Sequence, residues 1–442
     1  MPAPILRMSA CLGLLCLVAT ASAQPPSAGA PAVSPQITAM YPEVEALYRD
    51  LHQHPELGFE EWRTSEKLAH MMRKLGYEVT TGVGVTGLVA LMKNGDGPTI
   101  MLRTDLDALP VLEKTGVSFA SKVRTKNASG QEVPAMHACG HDFHMAAWYG
   151  TARLMAENRD KWRGTLMLVG QPAEELVGGA NAMLKDGLFE RFPKPDYALA
   201  MHDDSDLPAG QIGYRAGYFM AASDVVEISV YGRGGHGAMP QNTVDPIVLA
   251  ARIVAGLQTI VSREIDPMDP TIVTIGSIHG GTRANIIPDE VKLQLSVRTF
   301  DPAVRKRVMA AIERQARGEA MAMNAPAMPK VEVQPGAISV YNDPALVTRV
   351  TDALRVTLGS QNVVEVRPKT PSEDFSQYYA QAGVPSAMLI VGAADPKALA
   401  VAKEKGEPLP GPHSPLFIPF YQTALQVAIA AESSMLTTLL KK

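Results

Sequence analysis

One cysteine and three histidines fall within eight residues of each other in the run AMHACGHDFHMAAW, residues 135–148. Cys139 and His141 are separated only by Gly140, so a thiolate and an imidazole can converge on one point if the glycine lets the backbone turn sharply. Soft sulfur beside imidazole nitrogen is the chemistry of a transition-metal site. Two ligands make half of one, so the remaining donors must come from elsewhere in the chain.

Other segments offer them. The apolar run TLMLVG, residues 165–170, leads into QPAEELVGG, where Glu174 and Glu175 are adjacent. Neighbouring residues in an extended or turning segment point to different sides, so one carboxylate can bind metal while the other moves a proton. A second apolar run, YALAM at 197–201, delivers His202, followed by Asp203 and Asp204. A third, TIML at 99–102, ends in RTDLDALP, where Asp105 can orient a ligand histidine and Asp107 reads as a cap on the turn that follows. In an α/β sheet, polar residues just past the strand ends are where chemistry gathers, and three independent strand ends agree here. Cys139 and His141 fall at the amino end of a helix expected from Met145 to Asn158, where the helix dipole favours a thiolate. His52 and His54, just before Pro55, read more simply as turn residues than as ligands.

These residues need elements to carry them. With 442 residues the chain is too long for one compact core, and two domains are expected. Its 41 basic and 45 acidic residues give no long-range attraction to nucleic acid or an anionic membrane, so the expected partner is a small molecule. Residues 1–23 have the pattern of a cleavable export signal: Arg7, an apolar run too short to span a bilayer, and Ala21-Ser22-Ala23 as the cleavage site. This predicts a secreted or periplasmic protein with no membrane span. Cys11 and Cys16 would leave with the signal, so metal ligation is a reason for an exported chain to keep the lone Cys139. Residues 24–36, rich in proline, alanine and serine, read as a disordered linker.

Downstream, helices are expected on either side of HQHPELGFEE, and the apolar runs at 87–92 and 99–102 read as a hairpin about Asn94-Gly95-Asp96-Gly97. Residues 117–133 read as a polar surface loop containing the sequon Asn127-Ala128-Ser129. From Ser223 a β-α-β-β-α-β order predicts a small ferredoxin-like unit inserted into an α/β domain. The expected division is 37–220 with 337–442 for the α/β catalytic domain and 221–336 for the insert, and the helix from Ile418 onward is expected to pack in the core.

Collected in order, RTDLDALP, MHACGHDFH, QPAEE, GRGGHGAMP, the ANIIPD to VRTF stretch, SEDFS and PHSP resemble the metal-dependent amidohydrolases of the aminoacylase and carboxypeptidase superfamily. The likeness is strongest to the branch of hippurate hydrolases and auxin-conjugate hydrolases, and it covers nearly the whole chain after residue 36. It implies a metallopeptidase-type α/β catalytic domain interrupted by a lid or dimerisation domain, with a homodimer formed through that lid. By position it implies two divalent ions (zinc, manganese, cobalt or nickel) held by Cys139, His141, Glu175, His202 and His413. It also implies Glu174 as general base, His236 on the oxyanion, and Asn285 and Arg298 on the substrate, Arg298 pairing with a carboxylate. The reaction implied is hydrolysis of the amide of an N-acyl amino acid by metal-activated water, with a dipeptidase or carboxypeptidase reaction as the alternative on the same centre. A cysteine hydrolase using Cys139 as nucleophile would leave Glu174, Glu175, His202 and His413 without purpose, and a catalytically silent binding protein would lack one of them. Two departures from the family pattern, a longer loop before MHACGHD and Asp203-Asp204 after His202, bear on specificity more than on chemistry.

Overall fold

The computed structural model describes residue 31 and residues 33–441. The expected signal, residues 1–23, lies outside the described residues, as does most of the expected linker. The linker also ends earlier than expected. Ser34 accepts the Ile37 amide and Pro35 supplies the fixed first-turn φ, so a helix, Pro35–Gln53, begins inside it.

An eight-stranded sheet organises the larger part of the molecule. Its strands run in the order Glu78–Val83, Gly87–Asn94, Gly164–Gln171, Thr99–Asp105, Tyr197–Pro208, Ser386–Ala394, Ile212–Tyr214 and Val363–Glu365. The four strands from Gly164–Gln171 to Ser386–Ala394 are mutually parallel. They read as continuous apolar runs because both faces are covered. One face packs against Pro35–Gln53, His141–Glu157, Pro344–Leu358 and Tyr421–Leu439, with Trp148, Leu102, Leu168 and Leu389 in the shared core. The other face packs against Gly179–Lys185 and Ser376–Ala382 through Met101, Met167, Met183 and Tyr378. The terminal helix is buried as expected.

The expected hairpin about Asn94–Gly97 does not form. Gly87–Asn94 pairs antiparallel with Gly164–Gln171, which lies between it and Thr99–Asp105. The turn residues are right for a reversal, but a strand some seventy positions on offers an apolar partner for both neighbours, and burial in a central sheet outweighs local turn chemistry. Glu78–Val83 is the strand that pairs with Gly87–Asn94. The polar stretch before MHACGHD also carries more order than a loop: Arg124–Lys126 pairs with Glu132–Pro134, and the Asn127 carboxamide oxygen accepts from the Ser129 and Gln131 amides across the turn.

A separate antiparallel sheet holds Ile272–Gly280, Glu290–Thr299, Ala222–Tyr231 and Lys330–Pro335, in that order. Helices Pro246–Thr259 and Pro302–Ala322 pack on it, each starting from an aspartate cap followed by proline. Val226, Ile228, Val230, Leu293 and Leu295 alternate inward to meet Leu249, Ile253 and Ile312. Pro246–Glu264, including its wider last turn, has the length and apolarity of a membrane span, but it buries Leu249, Ala250, Ile253 and Leu257 against this sheet.

Candidate metal centre

The carboxyl ends of the central parallel strands converge on one place. Gly140 takes φ 77°, a left-handed conformation that lets Cys139 and the first helical residue, His141, face the same side. A Cβ on Gly140 would stand 2.3 Å from the Asp203 carboxylate, so both conformation and space demand glycine. Cys139 Sγ lies 3.6 Å from His202 Nε2. Two ligand atoms on one tetrahedral ion, at bonds of roughly 2.0–2.3 Å, stand about 3.5 Å apart.

Both histidines are oriented from behind by main-chain oxygens. His141 Nδ1–H donates to the Asp107 carbonyl at 2.8 Å, and His202 Nδ1–H donates to the Asp203 carbonyl at 2.8 Å. Each Nε2 lone pair is thereby turned towards the common point. Glu175 Oε1 lies 4.0 Å from His141 Nε2 and 3.2 Å from His413 Nε2. The five expected ligands therefore assemble from residues 139 to 413, with Cys139, His141 and His202 in one close group and Cys139, Glu175 and His413 in another. His413 stands at the exposed mouth and adopts φ 69°, rare outside glycine, with its amide donating to the Ala138 carbonyl beside Cys139.

The donor set fits divalent cations. His141 Nε2 and Glu175 Oε1 are buried without an aligned hydrogen-bond partner, a costly state for polar atoms unless a cation satisfies them. The charges agree. Burial, then Glu175 and Glu174, push the Cys139 thiol well above its ordinary range, so a thiolate there needs a cation. Burial opposes a charge on His141, yet Asp105 and Asp107 raise it to about 9; burial likewise opposes one on His202, and Asp203 raises it to about 9.

The adjacent glutamates are pulled apart. Burial works against ionised Glu175, but His413 and His141 outweigh it and hold its carboxyl below the usual range. Burial, then Glu373, Glu175 and Asp374, push Glu174 well above it. Glu174 Oε2 is 4.0 Å from His141 Nε2, beside the ligand cluster. Two carboxylates whose environments separate their proton affinities are suited to separate tasks, one as ligand and one as proton carrier.

Asp105, expected to orient a ligand, hydrogen-bonds instead to His144 Nδ1 at 2.8 Å, while its other oxygen pairs with buried Arg103 at 2.7 Å and stands 3.9 Å from His141 Nε2. It was the carbonyl two residues on that orients His141. His144 Nε2 faces the Asp203 amide at 2.9 Å and the Asp203 carboxylate at 3.5 Å; burial opposes a charge on this ring, and Asp105 raises it to about 9. Asp107 does more than cap a turn: its carboxylate accepts the amides of Glu174 and Glu175 at 3.1 and 3.0 Å. His52 is no ligand, since it is buried between Asp142 and Glu113, and His54 is exposed and bonded to the Asp50 carbonyl.

The remaining three expected residues sit on the smaller sheet unit. His236 and Asn285 lie together at an exposed two-stranded ladder, Gly235–His236 with Ile286–Ile287, where the Gly237 amide donates to the Asn285 carbonyl. Among the described residues no hydrogen bond joins either to the ligand cluster. Arg298 is half-buried and donates to the Ser372 hydroxyl at 3.0 Å, with no ion pair of its own among the described residues.

A largely parallel α/β sheet around which a thiol, three imidazoles and a carboxylate gather, with a second carboxyl beside them pushed up by burial and neighbouring acids, defines a metal-binding hydrolase of amide bonds. The chain belongs to peptidase family M20/M25/M40, whose model matches residues 101–405. It is 37% identical to the N-acetyl-L-cysteine deacetylase of Bacillus subtilis (strain 168) over 75% of this chain and 76% of that protein. It is also 37% identical to the hippurate hydrolase of Campylobacter jejuni, over 77% of this chain and 86% of that one. A Bacillus subtilis crystal structure described as a dinuclear metal binding peptidase from the M20 family superposes with TM-score 0.76 and 31% identity, covering 91% of this chain and 99% of that one.

Proposed function

We propose that this chain hydrolyses the amide bond of small N-acyl amino acids, with Cys139, His141, Glu175, His202 and His413 holding two divalent cations and Glu174 carrying the proton. The observation that carries the reading is the opposed electrostatics of neighbouring Glu174 and Glu175 at the ligand cluster. The two relatives described above are named for N-acyl amino acid substrates, which supports the substrate class.

When bound, the cations supply Lewis acidity to the amide carbonyl and acidity to a water molecule, and they draw the proton affinity of Glu174 back towards neutral pH. Glu174 takes a proton from the attacking water as its oxygen bonds to the amide carbon. It then returns that proton to the nitrogen as the carbon–nitrogen bond breaks, leaving a carboxylic acid and a free amino acid; the acid's remaining proton passes to the released amine or to solvent, giving the carboxylate. Arg298, a guanidinium that donates to the neutral Ser372 hydroxyl, pairs with the substrate carboxylate. His236 and Asn285, exposed on the smaller unit, reach the oxyanion and the substrate when that unit closes as a lid. The thiolate favours zinc among candidate metals. A homodimer through the smaller unit and export directed by residues 1–23 complete the reading.

The test is a panel of N-acetyl and N-benzoyl amino acids and dipeptides, assayed with metal-loaded wild type and Glu174→Gln. The expected result is hydrolysis of the N-acyl amino acids by wild type and a loss of roughly 10²–10⁴-fold in kcat for the variant at unchanged metal content. Equal turnover by the two proteins, or hydrolysis of dipeptides alone, would contradict the proposal.

A further inference from the structure

The segment that carries Glu174 and Glu175 is held in an improbable shape. Ala173 and Val177 take φ 47° and 52°, and both the Gly178 and Gly179 amides donate to the Ala173 carbonyl. Left-handed conformations at non-glycine residues are strained and persist only where the surroundings over-determine them. The surroundings here are buried carboxylates acting on main-chain amides. Asp107 accepts from Glu174 and Glu175, and Asp374 accepts from Ala180 at 3.0 Å. Glu61 accepts from Ala173 at 2.8 Å.

Glu61 comes from a part of the chain that supplies none of the ligands. It is 0% exposed and stands at the start of helix Trp62–Lys74, yet its side chain caps no amide of that helix. Glu56 does that work instead, accepting from the Arg63 and Thr64 amides. Glu61 is thus free to reach across to Ala173 with one oxygen and to accept the Thr86 hydroxyl with the other. The preceding residues fit under the same loop: a Cβ on Gly58 would meet Leu176 at 3.0 Å, and Phe59, itself at φ 65°, packs beside Gly178.

We propose that Glu61 is a positioning residue for the hydrolytic centre: by holding the Ala173 amide it fixes the turn that aims Glu174 and Glu175 in different directions. Its reach is what acts. The positioning role rests on the hydrolase reading above, whereas the clamp itself can be measured without activity.

The experiment compares Glu61→Ala, Glu61→Asp and Glu61→Gln. Amide hydrogen exchange of peptides covering residues 171–178 is followed in metal-free protein, with the strand Tyr197–Pro208 as internal control, and kcat and KM are measured on metal-loaded protein. Loss of the acceptor in Glu61→Ala is expected to raise exchange in 171–178 by about tenfold or more while the control strand is unchanged. It should lower kcat by about 100-fold, the scale of a displacement near 1 Å at reacting groups, with KM moved less than about threefold. Glu61→Gln keeps an acceptor at full reach and should retain most of the protection and kcat. Glu61→Asp keeps the carboxyl group but is one methylene short, and should lose more than Glu61→Gln; this pair decides the matter if Glu61→Ala does not fold. Unchanged exchange in 171–178, or a larger loss in Glu61→Gln than in Glu61→Asp, overturns the proposal. Altered exchange in wild-type-like order with no hydrolysis by any protein would support the clamp and sink the hydrolase reading alone.

Discussion

Glu432 offers a prediction whose size follows directly from its surroundings. It lies in the terminal helix Tyr421–Leu439, 4% exposed, where it accepts the Thr151 hydroxyl at 2.7 Å from the helix that begins with His141. Burial raises its carboxyl to about 7, against a weaker opposing pull from Thr151 and His144. Below about pH 4.5 the carboxyl is protonated in both folded and unfolded chains and pH has no effect. Between there and about pH 7 the unfolded chain has released the proton and the folded one has not, so stability falls as pH rises. Two and a half decades of pH at about 1.4 kcal/mol each give a loss of about 3.5 kcal/mol, complete above pH 7. Glu432→Gln removes the titration and keeps a carbonyl for Thr151. In metal-free protein the variant should unfold at nearly the wild-type temperature at pH 4.5 and a few degrees above it at pH 8. The same Tm difference at both pH values would mean that Glu432 does not hold its proton in the folded chain over this range.

Two further substitutions probe the centre. Asp203 is fully buried, with both carboxylate oxygens lacking an aligned partner and one of them 3.2 Å from His202 Nδ1; Asp203→Asn should weaken divalent-metal affinity by about 10–100-fold, measured by chelator competition, and an unchanged affinity would remove it from the site. Arg298→Met should raise KM for substrates with a free carboxylate by roughly tenfold or more, while leaving their amidated counterparts nearly unaffected; equal effects on both would show that Arg298 does not read the carboxylate.

The sequence exposes elements whose signal is local. Val226, Ile228 and Val230 alternate along a strand, and aspartate followed by proline marks the starts of helices at Asp245 and Asp301, so the β-α-β-β-α-β order is legible. The ligand cluster is legible too, because Glu175 and His202 follow or end apolar strands of the parallel sheet while Cys139 and His141 stand at the amino end of a helix. What stays hidden is contact between distant main-chain and side-chain groups. Nothing in RTDLDALP says that the Asp107 carboxylate will meet amides 67 and 68 positions on, or that Glu61 will meet one 112 positions away. The Asn94–Gly97 turn misleads for the same reason, since the partner that separates the two strands is remote in sequence. His144 was visible as one of three clustered histidines, but its role between Asp105 and Asp203 depends on a helix register that begins four residues earlier than the apolar pattern implies.

On the proposed reading, five side chains spread over residues 139–413 hold two divalent cations. Metal content per chain, measured by native mass spectrometry after equilibration with zinc or manganese and removal of free ion, tests it most directly, with Cys139→Ala alongside. Two ions per wild-type chain, falling on loss of the sulfur that belongs to both ligand groups, is the predicted result; no bound ion, or the same content with and without Cys139, would contradict it.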